Sequence, residues 1–139
     1  MHDSIQTMGR QIAEAATSFQ EQVTGRAPKS VNVVLNGDTL VITLHGALSR
    51  AEQLMAQSPE GAAKVQEFHR QLFLNASQTL RDEIKRITRV EVREAGAEVA
   101  PAIGSIVQTF ATGTIVQVFL LEQPLPPVIW NGDKADGPK

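Results

Sequence analysis

Cysteine is absent from the chain. Its absence excludes disulfide bridges, thiolate-bound metals, iron–sulfur clusters and a cysteine nucleophile. Long apolar runs are missing as well, since no window approaches the roughly 20 apolar residues of a membrane-spanning helix. The first residues, MHDSIQTMGRQ, show neither the basic segment nor the apolar stretch of a secretory signal. We therefore expect a cytoplasmic protein that does not insert into the membrane.

The chain also lacks an excess of charge of either sign. Thirteen lysines and arginines are spread among fifteen aspartates and glutamates, for a net charge of -2. Proteins that bind nucleic acids derive much of their affinity from clustered basic residues. We therefore expect no nucleic-acid partner.

Motifs for cofactors and metals are missing too. The glycines form neither the GxGxxG nor the Walker pattern of common nucleotide-binding loops, and there is no HExxH motif. The histidines, at positions 2, 45 and 69, do not have the spacing of metal ligands. We expect neither a cofactor nor a metal site.

The composition is that of one globular domain followed by a tail. The chain has 139 residues, of which 42% are apolar. We expect a single α+β domain in residues 1–121, and a tail in residues 122–139 that is rich in proline and glycine and partly disordered. The apolar group from Val128 to Trp130 is the exception in this tail, and docking on the domain is favoured over docking on a partner subunit.

The first part of the domain reads as a helix followed by a hairpin. Apolar residues recur every three or four positions from residue 4 to residue 24, which predicts a helix. Two runs rich in β-branched residues then flank Asn36 and Gly37, a pair typical of a tight hairpin turn. One face of this hairpin is expected to lie in the core, namely Val31, Val33, Leu35, Leu40, Ile42 and Leu44.

The segment HGALSRAEQ, residues 45–53, contains the residue types of a hydrolase site. Ser49 and Glu52, however, have the spacing of a capping box, in which both side chains bind backbone amides of a helix's first turn. A catalytic serine would need a base directed at it, and no GxSxG pattern surrounds Ser49. We therefore predict a helix start here, with a hydrolase built on His45 and Ser49 as the weaker alternative.

A long helix is then predicted from Ser58 and Pro59 to residue 87.

The segment SIVQTFATGTIVQVFLL nearly repeats itself around Thr112 and Gly113. This predicts a second hairpin, in which Gln108 lies opposite Gln117. Both faces of the hairpin are apolar, and three helices are too few to cover both. We therefore predict self-association through one face, with the interface residues Val107, Val116, Val118 and Leu120.

A further strand is predicted before this hairpin, because Val90 and Val92 alternate with charged residues. The whole chain is then expected to have an α+β fold. Its antiparallel sheet consists of two hairpin units with the helices packed on one face, in the order α-β-β-α-α-β-β-β.

The segment GRAPK, residues 25–29, is the one charged segment with an open role. Arg26 and Lys29 bracket a proline-stiffened turn, and are candidates for contact with an anion or a protein. The alternative is that both residues merely solvate a loop.

The middle of the chain carries a set of structural motifs. They are Gly-x-x-Pro at Gly25 and Pro28, Leu-x-Gly-x-Leu at Leu44, Gly46 and Leu48, Ala51-Glu52, and Pro59-Glu60-Gly61 leading to Arg70. Together they resemble the MpsC family, named after a Na+-translocating, membrane-potential-generating system. The resemblance implies a small cytosolic companion of ion or bicarbonate transport machinery, and it does not imply an enzyme. It also implies Arg26, Glu52 and Arg70 as candidate site residues.

We therefore expect a non-enzymatic, cytosolic adaptor or regulatory protein that forms a dimer or a larger homo-oligomer. A membrane transport protein is the candidate partner. The alternative is a sensor that binds a small ligand, an anion such as bicarbonate or a nucleotide, through Arg26, Lys29 and Arg70.

Overall fold

A computed structural model describes residues 2–100 and 113–132, with side chains described for residues 6–97 and 113–132. The elements within these ranges are α1 (His2–Thr24), β1 (Ser30–His45), α2 (Arg50–Met55), α3 (Pro59–Thr88), β2 (Val92–Ala100) and β3 (Thr114–Trp130). The strand segments form one antiparallel sheet in the order β1-β3-β2. The predicted α+β class is confirmed.

The segment β1 folds back on itself. The backbone N–H of Lys29 donates to the carbonyl oxygen of His45 at 2.8 Å, so the two ends of β1 lie side by side. A straight strand of 16 residues would separate its ends by about 50 Å. The reversal contains Gly37, whose φ is +66°. The hairpin predicted at Asn36 and Gly37 is therefore confirmed, and all six residues of its predicted core face are buried.

The segment β3 passes around the closed end of this hairpin and pairs with both of its arms. The partners are Leu44↔Ile115 through Thr39↔Leu120 on the second arm, Gly37↔Leu125 at the tip, and Leu35↔Val128 through Val33↔Trp130 on the first arm. The register shifts on either side of Gly37, where β3 turns the corner. Residues 122–130, which the composition assigns to the tail, therefore belong to the sheet, and the domain does not end at residue 121. Pairing with β1 holds them there.

The strand partners of β3 differ from those predicted for the second hairpin unit. β2 and β3 are antiparallel neighbours, but Gln117 lies between Ala97 of β2 and Ile42 of β1. The predicted pairing of Gln117 with Gln108 is therefore wrong, because both edges of β3 at this point are occupied. The predicted strand from Ile106 to Phe110 lies outside the described residues.

The helices α1 and α3 pack on one face of the sheet, as predicted. Phe19 of α1, Phe73 of α3 and Phe119 of β3 form a chain of edge-to-face contacts, with ring centroids 6.2 and 5.9 Å apart. Phe119 is fully buried, so this chain ties both helices to the middle of the sheet. In the described part of the chain, no helix combines the length and apolar character needed to cross a membrane.

The helix α3 begins as predicted but buries a different stripe in its first half. Ser58 caps the helix and Pro59 is its first residue. The spacing favours Val65, Phe68 and Leu72 as the buried row, whereas Phe68 is 54% exposed and the residues buried after Val65 are His69 and Phe73. The helix is rotated by about one residue relative to the apolar pattern, which places a histidine in the core.

Replacing Gly37 by alanine tests the hairpin turn. The φ of Gly37 is strained for any residue with a Cβ atom, so we expect Gly37→Ala to lower the free energy of unfolding by about 1 kcal/mol. Urea denaturation measures the change. Gly96→Ala is the matched control, because Gly96 lies in a strand and no atom would meet its Cβ within 4 Å. An equal loss in both variants would contradict a turn at Gly37.

Candidate functional site

The start of α2 contains the predicted capping box. The backbone N–H of Ser49 donates to Oε1 of Glu52 at 2.8 Å, and the backbone N–H of Glu52 donates to the Ser49 hydroxyl at 3.2 Å. His45 has a different partner, since its Nε2 lies 2.6 Å from Oδ1 of Asn32. The two side chains of the hydrolase alternative, His45 and Ser49, therefore each bind another residue and not each other.

Glu52 also joins α2 to the middle of α3. Its second oxygen, Oε2, lies 2.7 Å from Nε2 of His69, which is only 5% exposed. Burial alone would raise the pKa of Glu52, but the bond from the Ser49 backbone and the contact with His69 outweigh it. The pKa of Glu52 therefore lies below its ordinary value, and one carboxylate serves both a helix cap and a buried histidine.

His69 belongs to a polar cluster in the core that sequence reasoning missed. A small cavity of about 10 Å³ is lined by His69, Gln20 and Gln117, together with Phe19 and Phe73. Gln117 is 1% exposed and its Oε1 has no hydrogen-bond partner. The available signal was the spacing of Val65, His69 and Phe73, which places the histidine on the buried row of α3. Within the described ranges, no group of three or more His, Asp and Glu side chains is arranged to hold a metal ion.

The three predicted ligand-binding residues do not form one site. Arg70 is exposed and pairs with Glu67 on its own helix, with 3.4 Å between Arg70 Nε and Glu67 Oε1. Arg26 is half-buried, and its Nε is buried without a hydrogen-bond partner. Lys29 is exposed and lies at the edge of a surface groove. Only Lys29 therefore remains beside a space that a small molecule can enter.

This groove, which we call the α1 groove, lies between α1, the start of β1 and the end of β3. Its volume is about 520 Å³, within the range of small-molecule sites, and its lining residues include Arg10, Glu14, Lys29, Ser30, Trp130 and Asn131. Sequence reasoning missed Arg10 and Trp130, because the packing of α1 on the sheet brings Arg10 beside Lys29 and the pairing of β3 with β1 brings Trp130 there. The Asn131 side chain confirms that closeness, since it accepts from the Asn32 amide at 2.9 Å.

The sheet face opposite the helices carries the predicted interface residues. We call the apolar side chains on this side the open face, consisting of Val34, Val41, Val116, Val118, Leu120 and Ile129. Val116, Val118 and Leu120 are half-buried, while Val34 is 40% and Ile129 62% exposed. Val34 pairs with Ile129 and Val41 with Val118, so the apolar side chains adjoin across strands. The fourth predicted interface residue, Val107, lies outside the described residues.

Replacing Ser49 separates its capping role from a chemical one. We expect Ser49→Ala to destabilise the protein by about 1 kcal/mol in thermal or urea unfolding, because an orphan amide of α2 loses its acceptor. Ser49→Asp, which retains a capping oxygen, should unfold like the wild type. If the wild type hydrolyses an ester and Ser49→Asp abolishes that activity without changing stability, this result would support the hydrolase alternative and contradict a purely capping role for Ser49.

Replacing Glu52 by glutamine tests the charge that faces His69. An amide still accepts from the Ser49 backbone but carries no charge. Because the pKa of Glu52 is lowered in the folded protein, the charge stabilises the fold above the ordinary value of 4.5 and its contribution is lost as the pH falls through the folded-state pKa. Urea unfolding from about pH 7 to about pH 3 should show the stability gap between wild type and Glu52→Gln closing at low pH. A gap that stays constant would contradict the interpretation.

Comparison with known proteins places this fold in a family. The chain matches the family described as Na+-translocating membrane potential-generating system (MpsC) over residues 4–123. The uncharacterized protein YbcI of Bacillus subtilis (strain 168) is 25% identical over 100 residues, which cover 72% of this chain and 81% of YbcI. No solved structure matches the chain. Since the family match spans most of α1, the whole of the β1 hairpin, α2, α3 and β2, and the first part of β3, the chain belongs to the MpsC family.

Proposed function

We propose that this protein is a non-enzymatic, cytoplasmic adaptor or regulatory protein that assembles into a dimer or larger oligomer through the open face. The observation that carries the proposal is the exposed apolar pair Val34 and Ile129, which continues into the half-buried row of Val41 and Val118. Covering adjoining apolar side chains of a sheet with another surface is favourable, because it removes apolar area from water.

The chemistry of the open face suits a second copy of the same chain. Its side chains are mainly β-branched, so they are stiff and lose little rotamer entropy when a flat partner covers them. In a two-fold dimer each such residue would be buried twice, once in each subunit. Of the described helices, α1 and α3 do not cover this face, because they pack on the side of the sheet that carries Phe119.

The family name supports the cellular context of the proposal. It refers to a Na+-translocating system that generates membrane potential. We propose that the assembled protein acts as an accessory of ion or bicarbonate transport, with a membrane transport protein as its partner.

A small-ligand sensor is the second candidate function. The α1 groove favours it, because Lys29 and Arg10 line a space large enough for a small molecule. Arg26 and Arg70 do not contribute to this groove, so the sensor proposal now rests on Lys29 rather than on the three residues together.

Light scattering at low micromolar concentration tests the assembly. We expect the wild type to be a dimer or larger, and Ile129→Glu to shift it toward the monomer, because a carboxylate in the open face would have to be desolvated. Leu74→Glu is the matched control, since Leu74 of α3 is 53% exposed and lies away from the sheet. Circular dichroism confirms that both variants fold. A monomeric wild type would contradict the proposal, as would equal dissociation of both variants.

A further inference from the structure

The α1 groove combines positive charge with an aromatic ring. Arg10 comes from α1, Lys29 from the segment before β1, and Trp130 from the end of β3. Glu14 is the acidic residue among the lining side chains, so the lining has a net positive charge. The groove therefore provides cations for a negatively charged group and an aromatic ring for a planar group. Both lie in a cavity of a size that suits a small molecule.

The two cations are available to a ligand. Among the described residues, the ion pairs engage other basic side chains, namely His69, Arg70, Lys85, Arg86 and Arg93. Neither Arg10 nor Lys29 is paired with a carboxylate of the described side chains, although Glu14 lies one helical turn after Arg10. A negatively charged ligand group would therefore not have to displace an internal partner.

The position of Lys29 is set by its surroundings. Its backbone N–H donates to the His45 carbonyl, and its side-chain stem packs on Gly46, where an added Cβ would come within 2.7 Å of Lys29 Cγ. Gly46 has a φ of +62°, which glycine adopts most readily. The stem is thus held while the side chain reaches the rim of the groove, so part of its rotamer entropy is already lost before a ligand binds.

The indole of Trp130 is held in a similar way. An added Cβ on Gly9 of α1 would lie 3.0 Å from Trp130 Cβ, so the absence of a side chain there lets the helix approach the base of the tryptophan. The indole is half-buried and lines the groove with its remaining surface. Aromatic rings stack on nucleobases whatever the identity of the base, because every base has a π-face.

Resting on the small-ligand sensor put forward above, we propose that the α1 groove binds a nucleotide, with its phosphates at Lys29 and Arg10 and its base against Trp130. Ser30 and Asn131 add polar groups along the same wall. The site does not depend on the open face, because Trp130 pairs with the buried Val33 and lies on the helix side of the sheet. Arg10 and Lys29 lie within the matched range of the family, residues 4–123, whereas Trp130 and Asn131 lie beyond it.

Tryptophan fluorescence provides a direct test, because Trp130 is the one tryptophan of the chain. Titration with AMP and ATP, excited at the red edge of indole absorption, should give saturable quenching. Removing one charge by Lys29→Gln should weaken ATP binding about tenfold. Lys64→Gln, which removes an equal charge from an exposed position of α3, should leave the affinity unchanged. Calorimetry with Trp130→Phe, which loses indole stacking, should also show weaker ATP binding.

Adenosine and inorganic phosphate separate the two halves of the proposed ligand. Each alone should bind at least about tenfold more weakly than ATP, since each uses only the ring or only the cations. The proposal is overturned if neither AMP nor ATP changes the fluorescence or the melting temperature. It is also overturned if phosphate binds as well as ATP, or if Lys64→Gln weakens binding as much as Lys29→Gln does. Because oligomerisation is measured separately, failure here leaves the assembly proposal intact.

Discussion

The pairing of β3 with both arms of the β1 hairpin is the constraint on which the rest of the structure depends. It places Ile115 beside Leu44 and, after the turn around the hairpin tip, Trp130 beside Val33. Phe119 becomes fully buried in the middle of the sheet, where Phe73 of α3 contacts it. The helices therefore pack on a surface that exists only after segments about 70 to 100 residues apart have paired. Such long-range contacts are costly in chain entropy and give the sheet its cooperative character.

This arrangement divides the molecule into two chemically different sides. On the helix side, the core tolerates polar groups where a partner compensates them, as Glu52 does for His69. The capping box makes that carboxylate part of the start of α2, so the buried histidine and the helix cap depend on the same group. On the other side, the described part of the sheet presents the apolar side chains of the open face, away from α1 and α3. The buried core therefore lies on one face, and the two proposed recognition surfaces lie on the other face and at the end of β3.

The sequence predicts the elements with local signals and misses the features that arise from distant pairing. Asn36-Gly37, Ser49 with Glu52, and Ser58-Pro59 each act within a few residues, and each is found where it was expected. The prolines between Gln123 and Val128 predict a tail by composition, although they occupy the part of β3 that rounds the hairpin tip. Proline lacks an N–H donor and fits such a corner, where ladder bonds are interrupted. No local pattern distinguishes this use of proline from disorder.

The alternation of side chains along the end of β3 explains how one short segment serves two surfaces. Ile129 points to the open face and the neighbouring Trp130 to the helix side, because successive residues of a strand face opposite sides of the sheet. Both residues are held by the same first arm of the hairpin, through Val34 and Val33. A ligand in the α1 groove and a partner on the open face would therefore order the same backbone from opposite sides. Any free energy that couples the two events must act equally in both directions, so a ligand that stabilises the oligomer would bind the oligomer more tightly than the monomer.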